Sequence, residues 1–181
     1  MHAVGPARLD GLKAERFGDD GTFPNSPLPL LFYEEALPRD AVTPEALERL
    51  FAQNGWPPAW RASVYQFHHY HSTAHETLGI ARGSARLMLG GPQGREFEVR
   101  AGDVIVIPAG VAHKRLSSSG DFLVVGCYPP GQHWDLLRGE EGDRPAADRN
   151  IAAVPLPEAD PVGGKSGPLL THWPRQKPIT T

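Results

Sequence analysis

Four histidines, His68, His69, His71 and His75, lie close together in this chain, and Glu76 follows at once. The whole protein has 8 histidines, so half of them sit in one short segment. Imidazole and carboxylate together form the donor set of a transition-metal site. Alternate side chains of an extended strand share a face, so His69 and His71 point the same way, together with Tyr65 and Phe67. The turn Ser72-Thr73-Ala74 reverses the chain, and Glu76, Leu78 and Ile80 form one face of the returning strand. Glu76 is thereby set opposite His69 and His71. A second element, Gly102-x5-Pro108-x-Gly110-x2-His113, follows downstream. Its apolar strand, Val104 to Ile107, ends in Pro108-Ala109-Gly110, where Pro and Gly suit a type I turn. His113 emerges from that turn and can supply a fourth ligand from the far side.

Several neighbours compete for a role. His71 and His75 are four apart and would share one face of a helix, but the metalloprotease pattern H-E-x-x-H is absent and the local alternation reads as strand. His75 is expected to support the ligands by hydrogen bonding, as polar neighbours of metal-bound histidine do. His68 faces away. Tyr65, Phe67, Leu78 and Ile80 serve as barrel core or as pocket wall. Arg115 and Ser117 share a face with His113 if that strand is regular. The planar fork of Arg115 suits a substrate carboxylate, and its structural alternative is a buried ion pair with a neighbouring acid. Cys127 reads as a small buried hydrophobe. Gly163-Gly164-Lys165-Ser166 lacks the upstream spacing of a phosphate loop and reads as a turn.

Positioning these side chains requires short strands, and the pattern from Ala62 to Tyr128 supplies them. Val64–His71, Glu76–Ile80, Arg86–Leu89, Phe97–Val99, Val104–Ile107 and Phe122–Val125 are apolar or alternating runs separated by turn signals, as in a sandwich or barrel. Residues 1–27 read as an extended arm. Leu28 to Tyr33 reads as an edge strand, because Pro29 cannot donate to a ladder. Thr43-Pro44-Glu45 starts a helix near 44–54, with Leu47, Leu50 and Phe51 on one face and Gly55 at its end. Trp134 to Leu137 suggests one helical turn, 139–150 a charged loop, and 151–181 a Pro-rich arm around the barrel. The resulting division is 1–59, 60–130 and 131–181 within a single domain.

Composition excludes several classes. A chain of 181 residues with 40% hydrophobic and 22% charged residues can bury one core. Its net charge of -3 and lack of a basic stripe argue against nucleic acid. No apolar run approaches the ~20 residues needed to span a bilayer, and the N-terminus lacks a signal-peptide pattern. One cysteine allows no internal disulfide and fits a reducing, cytoplasmic compartment. Long Pro-rich arms predict a homodimer, the commonest closed assembly.

The two histidine elements resemble the paired motifs of the cupin superfamily, the first carrying two histidines and a glutamate, the second one histidine. The resemblance implies an all-β fold: a double-stranded β-helix, or jelly-roll barrel, with one short N-terminal helix and extended terminal arms. It implies His69, His71, Glu76 and His113 as metal ligands. The tail, from Trp134-Asp135-Leu136-Leu137 to Gly167-Pro168-Leu169, is similar to a subgroup of uncharacterised bacterial cupins, the YjlB-like proteins. One departure is Ser117, where the second motif often ends in Asn. The mixed nitrogen and oxygen set suits Fe, Mn, Ni, Zn or Cu. Four protein ligands on an octahedral ion leave two positions for water, substrate or dioxygen. The leading expectation is a metal-dependent, dioxygenase-like oxidoreductase acting on a small organic molecule. The alternatives are a non-redox isomerase or lyase, in which the ion is a Lewis acid and Glu76 a base, and a non-catalytic small-molecule-binding protein.

Overall fold

Two strands carry unbroken apolar runs, and their two faces feed two different cores. In β2 (Ser26–Tyr33) and β7 (Val104–Ile107), Leu30, Phe32, Ile105 and Ile107 face one way. Leu31, Tyr33, Val104 and Val106 face the other. A short run that is apolar on both faces belongs between two layers. The computed structural model, which describes residues 5–175, places it there.

One layer is a six-stranded antiparallel sheet in the order β1-β2-β7-β4-β9-β3. Its other members are β1 (Leu12–Phe17), β3 (Pro58–Ala62), β4 (Glu76–Arg82) and β9 (Leu123–Cys127). The second layer is three-stranded, β6-β5-β8, from β5 (Ser84–Leu89), β6 (Arg95–Arg100) and β8 (His113–Ser118). The inner core lies between the sheets, where Leu78 and Ile80 of β4 meet Leu87 and Leu89 of β5 and Val99 of β6. This is the double-stranded β-helix expected from the sequence. Register fixes the ends of the site: Glu76 pairs with Ile107, and Leu89 with His113.

The outer face of the large sheet is covered by α1 (Pro44–Gln53) and by the C-terminal segment. Thr43 caps α1, its Oγ1 accepting from the Ala46 N–H at 3.0 Å, and Pro44 opens the helix. Such a cap contributes about 1 kcal/mol. The helix lies on β4 at Gly79, where a Cβ would stand 2.8 Å from the Phe51 ring. The C-terminal segment is held by Asp160, which is fully buried. Its carboxylate accepts from the Tyr33 hydroxyl and from the backbone N–H groups of Val162, Gly163 and Leu169. Trp173 Nε1 donates to Pro29 O at 2.8 Å.

The flanks differ from the sequence expectation in four places. The strand expected at an edge is interior, with β1 drawn from the supposed arm outside it. Pro29 is tolerated because β2 pairs with β7 only from Leu31 to Tyr33, and the β1 register slips between Glu15 and Phe17. Val64 to His71 is not a strand: beyond β3 it is irregular, with isolated bridges at His69 and Tyr70. Trp134 to Leu137 forms no helical turn, since Leu137 bridges Tyr70 instead. The supposed charged loop contains the start of α2 (Ala146–Ala153), whose Ala147 and Ile151 pack with Phe23, Tyr70 and Ala112. A further short helix, α3 (Leu169–His172), lies in the C-terminal segment.

Candidate metal centre

His113 is the first residue of β8 and is delivered by the turn after β7. Gly110 in that turn has φ +99, and its N–H donates to His71 O at 2.8 Å. A Cβ at Gly110 would stand 2.2 Å from Asn25 O. The buried Asn25 side chain braces the same turn: Nδ2 donates to Gly18 O and Gly90 O at 2.8 and 3.0 Å, and Oδ1 accepts from Ala112 N at 3.2 Å. His69 and His113 exchange backbone hydrogen bonds at 2.9 and 3.2 Å, and Tyr70 does the same with Leu137 at 2.9 and 3.0 Å. Glu76 opens β4.

All three imidazoles are anchored through Nδ1 to a backbone carbonyl: His69 to Phe67 at 3.0 Å, His113 to Val111 at 3.1 Å, and His71 to Asp135. A carbonyl only accepts, so each Nδ1 carries a proton and Nε2 is the nitrogen presented inward. One donor atom from each of His69, His71 and His113 lies within 4.8 Å of the others, and all three residues are buried. Glu76 stands beside two of them, Oε2 at 3.2 Å from His71 Nε2 and Oε1 at 3.0 Å from His113 Nε2. Nitrogens facing both oxygens of one buried carboxylate need protons or a cation between them. Burial opposes the Glu76 charge, yet His71 and His113 hold its carboxyl well below the usual range. Burial likewise opposes charge on His71, but Glu76 lifts its pKa above the ordinary value. His69, buried beside His113, is lowered to about 3 and is neutral at pH 7. Three buried histidines with fixed tautomers and an adjacent carboxylate fit a divalent transition ion by donor chemistry.

A cavity of about 590 Å³ opens above these side chains. Trp60, Tyr65, Phe67, Tyr128 and Trp134 make its walls largely aromatic, and Leu78 lies among them. Tyr128 hydroxyl donates to Glu76 Oε2 at 2.8 Å and accepts from Trp60 Nε1 at 2.9 Å. Arg115 lines the cavity, but Ser117 is exposed and outside it. The cause is a bulge: β8 shifts register against β5 between Arg115 and Ser117, so Ser118 takes the position beside Arg115. His75 makes no hydrogen bond to His69, His71, Glu76 or His113. It lies just before β4 with its ring 4.9 Å from Trp173, and Nδ1 accepts from Ala109 N at 2.9 Å, in the turn before β8. Cys127 belongs to the outer core, away from the cavity.

Sequence reasoning missed Tyr128 and Asp135. Tyr128 directly follows Cys127 of β9, so alternation alone would have turned it inward. Asp135 had no local signal. Its carboxylate accepts from the Ser72 N–H at 2.6 Å and from the Ser72 hydroxyl, its N–H donates to Thr73 Oγ1 at 3.1 Å, and its carbonyl anchors His71.

Residues 60–124 match the family described as Cupin domain, the stretch that carries the histidines, β4 and the turn before β8. The chain belongs to the cupin family. It is 43% identical over 158 residues to the uncharacterized protein YjlB of Bacillus subtilis (strain 168), covering 87% of this chain and 93% of that protein. Among solved structures, a DUF861 family protein from Thermotoga maritima is 27% identical with a TM-score of 0.31, covering 46% of this chain and 89% of that one. Acireductone dioxygenase from Bacillus anthracis, with a cadmium ion in its active centre, is 15% identical with a TM-score of 0.38, covering 71% of this chain and 84% of that one. Both scores are too low for shared shape to bear on the chemistry of this chain. Among the described residues no helix is long and apolar enough to cross a membrane.

Proposed function

We propose that this cupin is a metal-dependent oxidoreductase, dioxygenase-like in its chemistry, acting on a small organic molecule in the aromatic cavity. His69, His71, Glu76 and His113 would hold one divalent transition ion. The observation that carries the proposal is the cluster of three buried imidazoles, each fixed by an Nδ1 hydrogen bond, with one buried carboxylate against two of them. A redox-active ion held there would supply electron exchange with dioxygen. The chain supplies the rest. Backbone carbonyls orient the imidazoles, aromatic walls exclude bulk water, and Tyr128 keeps a proton on its hydroxyl at Glu76 Oε2. Burial and the Glu76 charge both raise the Tyr128 pKa, which holds that proton in place.

The first test is metal content by mass spectrometry of protein purified without added metal, beside a His69→Ala/His71→Ala control. Near-stoichiometric iron, copper, nickel or manganese that vanishes in the control is expected, with oxygen uptake on a chelating substrate. No metal in either protein would sink the proposal. The Trp60–Tyr128–Glu76 hydrogen-bond chain favours one second reading, a non-redox isomerase or lyase with Glu76 moving a proton. Equal anaerobic activity with Zn(II) and Mn(II) would select it.

A further inference from the structure

Among the described residues, Arg115 is the one arginine or lysine that lines the cavity, and none of the acidic ones forms an ion pair with it. It sits on β8 two residues beyond His113, in the regular part of the strand before the bulge. Two strand residues place their Cα atoms roughly 6.6 Å apart. A guanidinium has five N–H donors. Arg115 Nε spends one on Val64 O at 3.1 Å, and Nη1 spends one on Ser118 Oγ at 2.7 Å. The remaining donors have no acceptor among the described residues. The other fixed charge lining the cavity, Glu76, is engaged by His71, His113 and Tyr128. Two hydrogen bonds therefore fix the guanidinium in place while its charge stays unneutralised at the edge of an apolar space.

The walls constrain what joins that charge to the histidines. Tyr65 and Phe67 stack with ring centroids 4.9 Å apart and planes 15° from parallel. Tyr128 and Trp134 form a second stacked pair, at 6.2 Å and 21°. Flat aromatic walls favour a flat apolar body by offset or edge-to-face packing. The volume lies within the ~300–1,000 Å³ usual for small-molecule pockets.

We infer that the substrate class is a small aryl carboxylate. Its carboxylate pairs with the free N–H donors of Arg115, its ring lies among the aromatic walls, and its other end reaches the histidines. This rests on the reading of the cavity as the substrate site. The pairing itself needs no metal, because Arg115 is separate from the histidine cluster. Carboxylate oxygens accept charge-assisted hydrogen bonds from guanidinium, and a neutral amide of the same shape forfeits that attraction.

The test measures dissociation constants for benzoate and phenylacetate against benzamide and phenylacetamide by ligand-observed NMR. It uses the full chain as purified and again after dialysis against a chelator. Each acid is expected to bind about tenfold or more tightly than its amide in both preparations. Arg115→Gln removes that preference, Arg115→Lys keeps part of it, and His69→Ala/His71→Ala leaves it intact. Equal binding of acid and amide, no binding of either, or a preference that survives Arg115→Gln would each overturn the inference. So would loss of the preference in His69→Ala/His71→Ala, which would mean that the carboxylate goes to the histidines. Metal content is read on the same samples. Protein that is metal-free as purified, before any chelator, and still prefers acids would reject the metal-dependent function and leave the Arg115 assignment standing.

Discussion

His113 and His71 face one another across Glu76, yet they are held by opposite means. His113 comes from a self-contained element: β7, a turn built on Gly110, and β8, with Asn25 tying three backbone segments together behind it. His71 lies in a stretch with no ladder of its own. Asp135, far along the sequence, anchors its Nδ1 and both polar groups of Ser72, while Asn150 of α2 adds a bond to Ser72 Oγ at 3.2 Å. One wall of the candidate centre is framework. The other is irregular chain latched by the C-terminal segment.

Substitutions on the two sides should therefore fail differently. The largest effect is expected on the framework side. Gly110→Ala must adopt a positive φ and push a Cβ against Asn25 O, so the whole fold should lose about 3 kcal/mol or more, seen as a fall of roughly 6–12 °C in Tm. A variant that melts within a degree of the parent would show that the turn is not a framework. On the latched side, Asp135→Ala should lower Tm by only a few degrees but weaken metal binding about 10–100-fold, because it frees the residue that orients a ligand. Asp135→Asn keeps an acceptor for the Ser72 N–H and should recover part of that loss. Metal affinity unchanged in Asp135→Ala would erase the distinction between the two walls.

The smallest effect concerns the clamp behind the latch. Arg144 joins Asp19 of the N-terminal segment to Asp148 of α2, and it holds the Asp19 carboxyl at about 2. A depressed carboxyl stabilises above its unfolded pKa and loses that stabilisation as pH falls through the folded one. The difference between the parent and Asp19→Asn should be present at pH 7 and shrink between about pH 4 and pH 2. The pair is largely exposed, so unfolding free energies from urea titration should differ by less than about 1 kcal/mol. A difference independent of pH would mean that the contact is not ionic.

The same contrast explains which parts were legible in the sequence. Helix α1 carries its own cap and spacing, and β4 and β7 carry their own periodicity, so local rules located them. The cupin resemblance named three histidines and a glutamate that the fold brings together. The segment from Val64 to His71 alternates like a strand, but alternation also suits a coil whose side chains are pinned from elsewhere. A one-residue bulge at Leu116 exchanged Ser117 for Ser118, and no residue there announces it. Charges around Glu140 to Arg149 hid the spacing of Ala147 and Ile151 that makes α2 a packed helix. Asp135 was unreadable because its partners lie more than 60 residues away.

The Asp160 clasp on Tyr33 also sets an order of events during synthesis. Its two partners are separated by 127 residues, so at roughly 5–20 residues per second the ribosome releases Tyr33 some 6–25 s before its acceptor. Throughout that interval the outer face of the sheet would have only α1 to cover it. A nascent chain in this state would be a client for holding chaperones, and its yield in a cell should depend on how quickly translation reaches Asp160.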